Sequence, residues 1–243
     1  MTGTTPITNL PIGGVPGRVL VVGDPARVTL VVARLDNAQL LASNREYVTW
    51  TGELRGTRVA VSSHGVGTAG AAIGFEELIT AGASRIIRAG TAGGLQPDVK
   101  DGDLVIATGA VRDDGVTRGL VPPEFPAVAD HRVVSALCTA ANASSPRTGV
   151  VLTSDVFYPH TVLGSNLEFW KNSGAIAVEM ECAALFVIAA LRNVKAGAIL
   201  AIDGNPLTAD DESMAEYDPN RGVVTTAVDT MVDVALDALV SME

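Results

Sequence analysis

Short apolar runs alternate with longer stretches of helical period along the whole chain, and Gly, Asp or Pro marks most of the changes between them. The runs predict strands over 18–22, 48–54, 58–62, 85–89, 103–111, 149–152, 176–179 and 196–202. Apolar residues three and four apart predict helices over 25–35, 68–81, 131–143, 166–172 and 182–191, and an amphipathic closing helix over 223–240. The Pro-rich stretch 120–126 and the acidic stretch 208–220 read as loops. Strand and helix alternate with no internal repeat or linker, which is the pattern of one α/β sandwich domain spanning 1–243.

Composition narrows the chemistry. A chain of 243 residues that is 47% hydrophobic can bury one large core. Its net charge of −10 argues against a nucleic-acid or anionic-membrane surface, so any phosphate chemistry must use a few local arginines on a small ligand. The polar start and the lack of an apolar run of roughly 18 residues lead us to expect a cytoplasmic protein without a membrane span. Cys138 and Cys182 lie in apolar, helix-like stretches and read as core filler, and the three histidines are scattered. Neither a metal site nor a bound cofactor is expected.

Four local patterns carry candidate chemistry. In Gly23-Asp24-Pro25-Ala26-Arg27 a strand ends in an N-cap and a first-turn proline, which puts Arg27 at the positive end of a helix dipole. A cation there is disfavoured by up to about 1 kcal/mol unless an anion intervenes or the side chain bends away into solvent. Arg88 follows two isoleucines, so its guanidinium needs an anion; Glu76 or Glu77 could supply one, and a phosphate cradled by 90–94 is the alternative. Glu179 and Glu181 flank Met180 where a strand meets a helix, either as helix caps or as acceptors for two vicinal hydroxyls. Asp203 closes an apolar strand before Gly204, as a turn residue or at the strand end where α/β sheets place chemistry. A formal G-x-G-x-x-G at Gly65 to Gly70 suggests a dinucleotide loop, but no acidic residue follows at the required distance and Arg88 stands there instead.

Together, 19–27, 44–47, 63–70, 75–78, 86–94, 154–159, 178–181 and 203–204 resemble the hexameric purine nucleoside phosphorylases and uridine phosphorylases, closest to the protozoan purine-specific branch. The resemblance implies a three-layer α/β/α sandwich with a mixed, partly barrel-like central sheet, assembled as a homohexamer (a trimer of dimers). It implies that Gly23, Arg27, Arg88 and Thr91 hold phosphate, with Arg45 reaching in across the dimer interface. Met180 and Glu181 would hold the ribose; Val66, Tyr158, Val178 and Glu179 would line the base and sugar pocket; and Asp203 would face N7 of a purine. Inorganic phosphate enters as co-substrate, and the expected products are free base and ribose 1-phosphate. Asp203 must then carry a proton when substrate is bound, which a poorly solvated site near other negative charges favours.

The chain also departs from that pattern. Residues 1–17 contain no histidine to reach a neighbour's 5′-hydroxyl, and Leu207-Thr208-Ala209-Asp210-Asp211 lacks the parasite branch's tryptophan. After Phe157-Tyr158-Pro159 the chain reads His160-Thr161-Val162-Leu163-Gly164, without the glutamine and arginine that read uracil, which favours a purine over a pyrimidine. The arginine set favours phosphorolysis over the hydrolytic relatives; a noncatalytic nucleoside-binding protein is the remaining alternative.

Overall fold

In the computed structural model, which describes residues 3–207 and 221–242, strands β1 (Arg18–Val22), β4 (Thr57–Ser63), β5 (Arg85–Gly94) and β10 (Lys195–Gly204) run parallel and side by side, so their C-terminal ends open on one edge. A ring closes where β5 pairs β10, which continues through β6 (Leu104–Asp113), β8 (Arg147–Ser154) and β9 (Ala177–Glu179) back to β5. Outside that ring β1, β4, β3 (Tyr47–Leu54) and β2 (Asp36–Asn44) extend the sheet, and the two-residue β7 (Ala127–Val128) pairs β6. The mixed, partly barrel-like sheet expected from the resemblance is the one observed.

Helices cover both faces. Side chains alternate along each strand, so Val19, Val21 and Ile86 pack with α2 (Thr68–Ala81) and α6 (Cys182–Leu191), while Leu20, Val22 and Ile87 pack with α1 (Pro25–Val32), α4 (His131–Ala140) and α7 (Gly222–Ser241). Two short helices, α3 (Gly115–Leu120) and α5 (Leu167–Asn172), lie in connections. No helix among the described residues is long and apolar enough to cross a membrane.

Sequence and structure differ most at β2, α3, the tail of β5 and the ends of α1 and α4. β2 was not expected: its sequence DNAQLLASN is polar and mostly exposed, and pairing with β3 rather than an apolar face makes it a strand. No helix was expected over 115–120; α3 is held by Asp114, whose carboxylate accepts from Thr117 N at 2.6 Å and Thr117 Oγ1 at 2.5 Å. β5 runs five residues beyond 89 because β10 and β9 pair with its glycine-rich tail, so 90–94 is a strand and not a loop. α1 and α4 each end three residues early, α4 in a 3₁₀ turn at Asn142–Ser144. The expected acidic loop 208–220 lies outside the described residues.

Candidate active site

The parallel register of β1 and β4 sets Val22 against Ser63, and the pairing continues past the strands as His64 N donates to Val22 O at 2.9 Å and Gly65 N to Gly23 O at 3.0 Å. Gly23 is thereby pressed beside the next loop: a Cβ there would meet Gly65 O at 3.4 Å and the His64 ring at Cε1, 3.8 Å away. Asp24 Oδ1 accepts from Ala26 N at 2.8 Å, confirming it as the N-cap of α1, and Arg27 occupies the first turn, partly buried. The Gly65 to Gly70 segment makes a tight turn at Gly65 and Gly67, with φ of 74° and 88°, and Gly67 N donates to Glu181 Oε1 at 2.6 Å. Its backbone therefore serves a carboxylate of this chain, which answers the dinucleotide alternative.

Arg88 stands on β5, in register with Val21 of β1 and Ala198 of β10, and only 3% of it is exposed. Its Nη2 pairs with Glu181 Oε2 and lies 3.4 Å from Glu179 Oε2. Nε and Nη1 have no partner among the described residues. The other expected anions are engaged elsewhere: Glu76 pairs with Arg192 at 2.8 Å, and Glu77 accepts from Ile7 N, Thr8 N and Thr8 Oγ1. Burial opposes the charge on Arg88, but the two carboxylates outweigh it and keep the guanidinium firmly protonated.

The two glutamates divide the roles that the sequence left open. Glu179 is wholly buried; it accepts from Glu181 N at 2.8 Å, Cys182 N at 2.9 Å and Thr153 Oγ1 at 2.5 Å, and so caps α6. Its side chain supports Arg88 from beneath, where a place on the pocket wall was expected. Burial pushes its carboxyl above the usual range despite Arg88. Burial would do the same to Glu181, but Arg88, His64 and the Gly67 amide hold that group lower. Burial also pushes the neighbouring Cys182 thiol far up, which leaves it inert filler.

Three residues beyond Arg88 along β5, Thr91 lies opposite Ala201, and the β5–β10 register slips between Ile202 and Gly204, leaving Asp203 on a bulge. Bulges re-aim side chains, and Asp203 stays 7% exposed while Arg221 donates to its carbonyl at 2.8 Å. Gly93 joins both neighbours: it pairs with Val178 of β9, and a Cβ there would lie 2.8 Å from Pro206 and 3.3 Å from Val178 Cγ1. Val178, Met180 and Thr91 are each partly exposed.

Val66 and Tyr158 project at the rim, 78% and 79% exposed. Tyr158 packs edge-on against Phe157, in a flap whose first residue, Asp155, accepts from Thr68 Oγ1 at 2.6 Å and Gly115 N at 2.8 Å. Arg45 is exposed at the tip of the β2–β3 hairpin, with φ of 53°. That hairpin is tied to the site loop: Ser63 Oγ donates to Glu46 O at 2.5 Å and Tyr47 OH to Gly70 O at 2.9 Å.

Gly23, Arg27, Arg88, Thr91, Val178, Met180, Glu181 and Asp203 thus gather at one sheet edge, Val66 and Tyr158 stand at its rim, and Arg45 is set apart. Sequence reasoning missed Gly90, Asp155 and His64. Gly90 was taken for an amide donor, but a Cβ on it would lie 1.8 Å from Arg88 Nη1, so the residue makes room for the guanidinium. His64, read as one of three scattered histidines, is fully buried with both ring nitrogens unpartnered. Its place immediately before Gly65 was the available signal.

Chemically, the edge offers N–H donors and a guanidinium for an anion, a carboxylate for paired hydroxyls, and a second carboxyl at the end of β10. The family model of the phosphorylase superfamily matches residues 18–240. A purine nucleoside phosphorylase of Plasmodium vivax (strain Salvador I) is 41% identical over 222 residues, 90% of this chain and 89% of that one. A uridine phosphorylase of Treponema pallidum (strain Nichols) is 44% identical over 198 residues, 77% of each. The crystal structure of purine nucleoside phosphorylase from Toxoplasma gondii in complex with immucillin-H superimposes with a TM-score of 0.93 at 34% identity, covering 99% of this chain and 98% of that chain.

Proposed function

The chain belongs to the phosphorylase superfamily, and from that premise we propose that it is an enzyme that cleaves purine ribonucleosides, inosine and guanosine above all, with inorganic phosphate. The observation that carries the reading is Arg88, buried beside Glu181 with Nε and Nη1 unpartnered among the described residues. Buried donors left without acceptors are costly, and a phosphate oxygen would satisfy them.

Arg88, Arg27, Thr91 and the Gly23 amide hold the phosphate beneath the sugar, and Glu181 accepts from the 2′- and 3′-hydroxyls with Met180 against the ribose. As the C1′–N9 bond breaks, its electron pair passes to the purine, and a phosphate oxygen forms the new bond to C1′. The phosphate charge stabilises the cationic sugar, and the fixed geometry removes much of the entropic barrier. Asp203 donates a proton to N7 of the departing base. Val66, Tyr158 and Val178 line the base. Phosphate is the co-substrate, and no bound cofactor takes part.

In the same reading the protein works in the cytoplasm as a trimer of dimers, and Arg45 completes the neighbour's phosphate site. Its exposed place on the hairpin tip supports that role. The likeness to a uridine phosphorylase keeps pyrimidine cleavage as the second reading.

The test is base release from inosine, guanosine, adenosine and uridine, with and without phosphate, while ribose 1-phosphate is followed. Phosphate-dependent release of hypoxanthine or guanine is expected. Release without phosphate would replace the reading by hydrolysis, preferential uridine cleavage would transfer it to pyrimidines, and binding without release would leave a nucleoside-binding protein.

A further inference from the structure

His64 is a buried titratable group that the reaction above does not use. It is 0% exposed, its ring packs edge-on against Phe75 at 5.3 Å, and neither ring nitrogen makes a well-formed hydrogen bond among the described residues, although the backbone of His64 and Gly65 lies near enough to favour the charged ring. An unpaired buried polar group costs roughly 1–3 kcal/mol, so such a residue in the floor of a site calls for a use. Its Cε1, the carbon between the two nitrogens, is turned to Gly23, 3.8 Å from where that residue's Cβ would stand. The nitrogen-bearing edge of the ring therefore underlies the backbone assigned to phosphate.

The surroundings explain why this ring is neutral in the empty site and what would change that. Arg88 on β5 opposes a positive charge on His64, and Glu181 favours one. Glu179 and Cys182 lie behind Glu181 at the β9–α6 junction. Glu46 and Tyr47 on the β2–β3 hairpin close over Gly65 and Gly70, and α2 brings Phe75 and Gly74 against His64, its buried carboxylate Glu77 being held by the amides of Ile7 and Thr8. Burial is the largest influence and holds the imidazole down at about 4. A dianion seated on Gly23 and Arg88 would add negative charge to this pocket and offset the guanidinium.

We infer that His64 is the proton-accepting residue of the anion pocket: when a dianion binds at Gly23 and Arg88, one proton passes from solvent to the imidazole. The bound state then holds an imidazolium beside Glu181, which offsets the repulsion between that carboxylate and the dianion. His64 acts through the pocket and does not touch the sugar or base, so it is a positioning residue. The inference rests on the phosphate reading of the site.

Sulfate is the probe, because its charge does not change near neutrality whereas phosphate titrates there. Calorimetry of sulfate binding to the intact protein at pH 6, in buffers of different ionisation enthalpy, reads proton uptake directly. The expected result is a slope approaching one proton, with affinity weakening by up to about tenfold per pH unit between the free value of about 4 and the bound-state pKa and levelling off above it, and no slope in His64→Gln. Binding with no buffer dependence, or with the same dependence in His64→Gln, would overturn the inference and leave the phosphate reading standing. No sulfate binding at all would overturn both. If His64→Gln does not fold, the wild-type imidazoles can be followed by ¹⁵N NMR, since the chain has three histidines and His131→Asn and His160→Asn assign the remaining signal. Conversion of the His64 ring to imidazolium on adding sulfate supports the proposal, and a ring that stays neutral sinks it.

Discussion

The guanidinium of Arg88 occupies the space that a side chain on Gly90 would fill: a Cβ at Gly90 would lie 1.8 Å from Nη1 and 2.6 Å from Cζ. Gly90 is fully within β5, so the absence of a side chain there serves the neighbour two residues back. Gly90→Ala should force the guanidinium away from Glu181. A shift of this size costs about 10²-fold in a positioned reaction. Steady-state kinetics should therefore show a fall of that order in kcat/KM for phosphate, with the circular dichroism spectrum retained; an unchanged value would remove Arg88 from the phosphate site.

Asp203→Asn keeps the size and the backbone bulge but cannot donate a carboxyl proton. Loss of a general acid typically lowers turnover by 10²–10⁴-fold. The expected result is a fall of about that size in kcat for inosine with phosphate affinity little changed. Equal losses in both would mean that Asp203 shapes the pocket without protonating the base.

Asp155 holds the start of the flap through two hydrogen bonds, to Thr68 and Gly115. Each hydrogen bond to a charged group is worth about 1.5–3 kcal/mol, so Asp155→Ala should release the flap and lower kcat/KM for nucleoside by about tenfold or more. The KM for phosphate should hold. A rise in the KM for phosphate parallel to that for nucleoside would mean that the flap supports the whole site.

Acid should weaken the fold through His64. Its folded value of about 4 lies below the ordinary 6.5, so the unfolded chain binds the proton more readily. The sign is therefore a loss of stability as pH falls from about 6.5 to 4, approaching about 3 kcal/mol at the lower end. Urea unfolding at pH 7 and pH 4.5 reads this directly. In His64→Phe, which leaves no titrating ring, the acid loss should shrink by that amount; an unchanged loss would place its source in other groups.

How much of this could be read beforehand depended on whether the signal was local. β1, α2 and α6 were legible because each is a continuous apolar run closed by Gly, Asp or a change of period, and their bounds match to within a residue. β2 was not, because its order comes from cross-strand pairing and its residues advertise neither an apolar face nor β-branching. α3 depends on the cap at Asp114 and on Arg112, which donates to the carbonyls of Thr117, Pro122 and Phe125. The need of Arg88 for an anion was visible in its two preceding isoleucines. Its pairing with Glu181 was not, since 93 residues separate them and only the meeting of β5 with the β9–α6 junction joins them.

β5 is the seam of the sheet, with β1 along its first half, β10 beside it and β9 at its tail. A strand fastened on both edges cannot slip by one residue without turning Arg88 to the opposite face. The anion floor is accordingly inherited with the sheet as one indivisible piece. The flap is fastened differently, outside the ladder, by the carboxylate of Asp155 at its start and by Asn166, which donates to Asp113 Oδ2 at 2.8 Å, at its end. A lineage can therefore exchange the parts that read a nucleobase while leaving the phosphate machinery intact, and new base preferences become accessible through few substitutions.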